Sequence, residues 1–124
     1  MKIRILIADQ QSAVRSAIRL LLEKGLELDV VGEAADSNEL LAQLESLRPD
    51  VLLLDWDLPG RSTANLFDAF RELDRQPKVI VLGVNSESMQ SALASGADAF
   101  VSKGEPPKRL LAALQALSVE GQRE

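Results

Sequence analysis

Val51-Leu52-Leu53-Leu54-Asp55-Trp56-Asp57-Leu58-Pro59-Gly60 decides the fold. Four consecutive apolar residues, then an acid, then a Pro-Gly turn, read as a strand covered on both faces that opens into a loop at its carboxyl end. A strand with one wet face would alternate apolar and polar residues, and this one does not. Val79–Leu82 has the same unbroken apolar character. Strands of this kind belong to a parallel sheet with helices on both sides.

Outward from that strand, the hydrophobic period switches repeatedly between two and 3.6. Ile3–Ala8, Asp29–Ala34 and Ala99–Ser102 read as further strands. Ser12–Lys24 has helical spacing, with Gly25 as its stop. Ser37–Leu47 sets Leu40, Leu41, Leu44 and Leu47 on one helical face, with Asp36 or Ser37 as N-cap and Pro49 beyond its end. Thr63–Leu73 aligns Leu66, Phe67, Phe70 and Leu73. Glu87–Ser95 is a short helix stopped by Gly96, and Pro106–Val119 is the last helix, with proline in its first turn. Residues 120–124 read as a polar tail that frays, where a linker to an output domain would start. Five strands alternating with five helices predict an α/β fold, a doubly wound parallel sheet with right-handed crossovers.

Composition bounds the chemistry. The chain has 124 residues, which fits one domain. A domain of this size buries roughly two thirds of its unfolded surface, enough for its own core. It contains no cysteine, which removes disulfides, thiol catalysis and zinc ribbons. It contains no histidine, which removes the common general base and most transition-metal sites. Carboxylate, lysine, hydroxyl and amide remain, a set suited to phosphate or to a hard cation such as Mg²⁺. The formal net charge of −5 opposes direct nucleic-acid binding by this domain. Only 3% of residues are aromatic, too few for a base-stacking platform. No apolar run approaches the roughly 18 residues of a membrane span, and no secretory signal opens the chain, so a cytoplasmic protein is expected.

In open parallel sheets, ligands bind beyond the carboxyl ends of the strands. Those ends read Ala8-Asp9-Gln10, Leu54-Asp55-Trp56-Asp57, Leu82-Gly83-Val84 and Ser102-Lys103-Gly104. Asp9, Asp55 and Lys103 therefore converge from distant positions. Two carboxylates can hold Mg²⁺ while a lysine neutralises a phosphoryl group.

Ile5-Leu6-Ile7-Ala8-Asp9, Leu53 to Gly60, Gly96-Ala97-Asp98-Ala99-Phe100 and Phe100-Val101-Ser102-Lys103, in that order, resemble the receiver domain of two-component response regulators. The style is similar to the NarL/FixJ-type subfamily, and the match covers about Ile3 to Val119. The resemblance implies a flavodoxin-like (βα)5 fold with strand order 2-1-3-4-5 and a receiver domain over residues 1–119. It implies that Asp55 is the phosphoacceptor position, Asp9 a Mg²⁺-organising acid, Lys103 the phosphoryl contact and Phe100 an aromatic switch. It also implies that the backbone carbonyl of Asp57 ligates the metal. A histidine kinase or other phosphohistidine protein would be the donor, and an output domain or a second copy a further partner. The domain itself would not be an enzyme.

Two positions depart from that pattern. Gln10 replaces a second acid, the usual direct Mg²⁺ ligand, and Gly83 replaces a Thr or Ser whose hydroxyl binds the phosphoryl. One charge lost about 4 Å from the cation is worth on the order of 4 kcal/mol at an effective dielectric of ~20, reduced by solvation and rearrangement. One missing charge-assisted hydrogen bond is worth roughly 1.5–3 kcal/mol. Weakened or absent Mg²⁺ binding and an altered switch are expected, and a pseudo-receiver that signals without phosphate is the alternative. A flavodoxin-like FMN binder ranks lower, because Asp9-Gln10-Gln11 stands where a phosphate loop would be.

Plainer roles are open at several positions. Trp56 reads as a pocket-rim residue, Asp57 as a turn cap, Phe100 as a half-buried aromatic, and Asp98, Lys108 and Arg109 as solvated. Ile18, Leu20, Leu21 and Leu22 exceed one helical face; burial at the helix end or contact with a second copy would account for them.

Overall fold

A computed structural model describes residues 2–25 and 27–122, with only the backbone course given for 118–122. The elements are β1 (Ile3–Ala8), α1 (Ser12–Glu23), β2 (Leu28–Ala34), α2 (Ser37–Leu47), β3 (Val51–Asp55), α3 (Thr63–Arg71), β4 (Lys78–Gly83), α4 (Ser86–Ser95), β5 (Ala99–Ser102) and α5 (Pro107–Gln122). The sheet order is β2-β1-β3-β4-β5, with every neighbouring pair parallel. The chain thus steps outward from β1 to β2, then crosses back to β3. That reversal puts the switch point of the topology, where ligands of such sheets bind, between the carboxyl ends of β1 and β3.

β3 is buried along its full length because it separates two cores. Leu52 and Leu54 join Leu40, Leu44, Leu66, Phe67 and Phe70, under α2 and α3. Val51 and Leu53 join Ile18, Leu22, Leu110 and Leu114, under α1 and α5. Alternate residues of one strand therefore feed opposite layers, which is why no position in it tolerates polarity.

Helix starts follow local chemistry. Asp36 caps α2, its Oδ1 accepting from the Glu39 N–H at 2.8 Å, while Glu39 Oε2 accepts from the Ala35 N–H at 2.6 Å. Ser62 caps α3 and Asn85 caps α4 in the same way.

Several boundaries differ from the sequence expectation. β4 begins one residue earlier, where the Lys78 N–H reaches Asp50 O at 3.0 Å, and ends at Gly83, paired with Ser102. α3 stops at Arg71, and Leu73 packs half-buried from the turn beyond. α5 begins at Pro107 and runs to Gln122, so residues 120–122 are helical rather than tail. Arg123 and Glu124 lie outside the described residues. Asp98, read as solvated, is exposed but bonded: its Oδ2 accepts from the Val79 N–H at 2.8 Å, and its own N–H donates to Val79 O at 2.9 Å. It secures the start of the edge strand β5.

Of the four surplus apolar residues on α1, Ile18 and Leu22 are buried and Leu21 is half-buried against the core. Only Leu20 stands out, 63% exposed. Among the described residues, no helix is long and apolar enough to cross a membrane.

Candidate functional site: an acid pair bridged by lysine

Asp9 follows β1, Asp55 ends β3 and Lys103 follows β5, so parallel register brings all three to one rim of the sheet. Asp9 and Asp55 are 1% and 2% exposed. The Lys103 ammonium donates to Asp9 Oδ2 at 3.0 Å and to Asp55 Oδ1 at 2.9 Å. Its backbone N–H donates to Gly83 O at 2.8 Å, which fixes where the side chain departs. Burial alone would push the Lys103 amine down. Hydrogen bonds and charge from Asp55 and Asp9 outweigh it and hold the amine above its usual range.

The two carboxylates are held differently. Asp9 Oδ1 accepts from the Gln11 N–H at 2.9 Å, so both Asp9 oxygens are engaged. Asp55 Oδ1 accepts from Lys103 and from the Asp57 N–H at 3.1 Å. Neither of these bonds reaches Asp55 Oδ2.

The loop after β3 is pinned at several points. The Trp56 N–H donates to Leu82 O at 2.9 Å, and the Thr63 hydroxyl donates to Trp56 O at 3.2 Å. Trp56 itself packs half-buried on the α2–α3 core. The Ser37 N–H donates to Pro59 O at 3.0 Å, and Ser37 Oγ accepts from the Arg61 N–H at 2.9 Å. Gly60 is obligatory here: its φ is +109°, and a Cβ would fall 2.0 Å from Ser37 Oγ.

The donors suit a hard cation in kind but not in number. Asp9, Asp55 and the Asp57 backbone are oxygen donors, yet Asp57 and Gln10 side chains are exposed. Among the described residues, no cluster of three or more acidic, His or Cys side chains could hold a metal. Lys103 already bridges both acids, so a cation there competes with an ammonium.

Gly83 and Phe100 are in contact: a Cβ on Gly83 would meet Phe100 Cε2 and Cζ at 2.8 Å. Phe100 is half-buried on the α2–α3 side of the sheet. One neighbour escaped the sequence reading. Arg15 Nη1 donates to Asp9 O at 2.6 Å, and Arg15 Nε donates to Glu33 Oε1 at 3.0 Å. Arg19 shares that acid at 2.7 Å. Burial would raise the Glu33 pKa, but bonds and charge from Arg19 and Arg15 bring it below the usual carboxylate value. The available signal was the i,i+4 pair Arg15/Arg19 on the helix that precedes Glu33 of β2.

Comparison with known proteins agrees with this architecture. The response regulator receiver domain family matches residues 5–115. The chain is 33% identical over 112 residues to the nitrate/nitrite response regulator protein NarL of Escherichia coli (strain K12), covering 89% of this chain and 52% of NarL. It spans about half the length of the curated relatives it matches. The two-component response regulator of the LuxR family from Aurantimonas sp. SI85-9A1 superposes with a TM-score of 0.86 at 28% identity, covering 95% of this chain and 86% of that one. The isolated REC domain of RcsB from Salmonella enterica serovar Typhimurium, solved with the phosphomimetic BeF3−, gives 0.86 at 29% identity, covering 95% and 89%. The family model covers most of the chain and the similar proteins agree with it: the chain belongs to the response regulator receiver domains of two-component systems.

Proposed function

We propose that the chain receives a phosphoryl group on Asp55 from a phosphohistidine donor in another protein, a histidine kinase or a relay protein. The observation that carries this reading is the asymmetry of Asp55, whose Oδ1 is held by Lys103 and the Asp57 N–H while neither bond engages Oδ2. Oδ2 attacks phosphorus in line; the new O–P bond forms as the P–N bond breaks, and the donor imidazole leaves with that electron pair and takes a proton. Lys103 stays within reach of the equatorial oxygens and offsets their charge. When bound, Mg²⁺ would add charge stabilisation at those same oxygens, with Asp9, Asp55 and the Asp57 carbonyl as its donors. Gln10 brings no charge, so the cation is held weakly. The domain is then a protein substrate and signal carrier rather than an enzyme, in a cytoplasmic pathway, and its output lies in a partner or a further domain.

The decisive test is intact-mass analysis after incubation with a small-molecule phosphodonor and Mg²⁺. Gain of one phosphoryl group, lost in Asp55→Asn, is the expected result; no gain at saturating donor and Mg²⁺ overturns it. A second reading, a pseudo-receiver acting as an interaction module, is favoured by the Phe100 ring, which lies 2.8 Å from where a side chain at position 83 would begin. Nothing in the site favours a flavin: the turn after β1 is committed to holding Asp9. Self-association through α1 rests on Leu20, and a fixed monomer mass in sedimentation at rising concentration would rule it out.

A further inference from the structure

Phe100 stands opposite Val81 in the β4–β5 register, yet its ring does not stay level with Val81. Cε2 and Cζ press on Gly83, two residues nearer the carboxyl ends of the strands. The ring therefore leans along the sheet toward the rim where Lys103 departs, since the Lys103 N–H bonds Gly83 O. A Cβ on Gly83 would lie 2.8 Å from both ring carbons, closer than packed atoms allow, and 3.4 Å from Ser88 Cβ. Ser88 is buried, and its hydroxyl donates to Asn85 Oδ1 at 2.9 Å. The ring thus has a floor, the Gly83 backbone, and beside it a wall, α4, already committed to its own cap.

We infer that Gly83 and Phe100 form a fixed seat, in which the ring stays turned toward the site whatever group Asp55 carries. A ligand shifts a conformational equilibrium only through contacts that differ between the two states. Glycine has no side-chain donor and phenylalanine no hydroxyl, so no side-chain polar atom of the pair can sense charge at Asp55. The surface formed by β5 and α4 is therefore preset rather than switched. The claim of indifference to Asp55 rests on the acceptor reading above; the seat itself does not.

Labelling the full chain with 4-fluorophenylalanine tests both parts. Three resonances are expected, from Phe67, Phe70 and Phe100, with Phe100→Leu assigning the third. In the unsubstituted chain the Phe100 signal should show a small solvent-isotope shift. In Gly83→Ala it should move and become solvent-sensitive; a Phe100 signal equally shielded in that variant overturns the seat. If Gly83→Ala fails to fold, Gly83→Ala combined with Phe100→Ala should recover the fold, and no recovery overturns it equally. Beryllofluoride with Mg²⁺ is then added, and its bound fluoride signal reports occupancy of Asp55. Occupancy with an unmoved Phe100 signal supports indifference, and occupancy with a displaced one overturns it. Absence of bound fluoride counts against the acceptor reading, and the Gly83→Ala comparison still decides the seat.

Discussion

Lys103 is the residue on which the site's electrostatics turn. Two carboxylates that are almost fully buried share one ammonium, itself 27% exposed on its side chain. Removing one member of such a group leaves buried charge unpaired. Lys103→Met should therefore lower stability by about 3 kcal/mol in urea denaturation, the low end for buried pairs because the lysine is partly wet. The pH dependence has a definite sign. The Lys103 amine is held above its usual value of 10.5, so its contribution is complete below that value and is lost as pH rises beyond it. Gln10→Asp acts in the opposite sense on the metal: an added charge should tighten Mg²⁺ at least tenfold, about 1.4 kcal/mol, as followed by Trp56 fluorescence. Asp9, Asp55 and Lys103 were legible because strand ends are legible, and parallel pairing does the rest. The Phe100 ring position and the Arg15 bond to Asp9 O were not, because each depends on a rotamer and on cross-strand register that spacing alone does not fix.

At the scale of elements, α1 and β2 are joined by one acid between two arginines. Glu33 is held below the usual carboxylate value of 4.5, so its stabilising share is present above that value and is lost as pH falls beneath it. Glu33→Gln should flatten the acid limb of the stability–pH curve relative to the unsubstituted chain, measured by thermal melts across pH 3 to 6 in about half-unit steps. Because the pair is partly exposed, salt should shrink the difference. Element identity was readable throughout, since a buried strand such as Val51–Asp55 and an amphipathic helix such as Ser37–Leu47 differ in period. Ends were less readable. Lys78 enters β4 through a backbone bond to Asp50, and the helical course of 120–122 continues a helix whose polar end carries no stop signal before Gly121.

For the whole molecule, the sheet makes two cores into one cooperative unit. β3 contributes to both, so neither layer can loosen without exposing the other's strand residues. A single two-state transition is expected, with Trp56 fluorescence, reporting the α2–α3 layer, coinciding with far-UV circular dichroism, reporting all helices. Separate midpoints would mean that the layers unfold independently.

β5 closes this sheet with four residues and a single neighbouring strand. Immediately after it, Lys103 reaches over β4 to the carboxylates beyond β1 and β3. The side chain that organises the site is thus also a mooring line for the sheet's margin. Slackening it would offer unpaired backbone to any passing strand, the usual starting point of edge-to-edge aggregation. The charge that ties the two acids together thereby also holds the edge strand to the sheet.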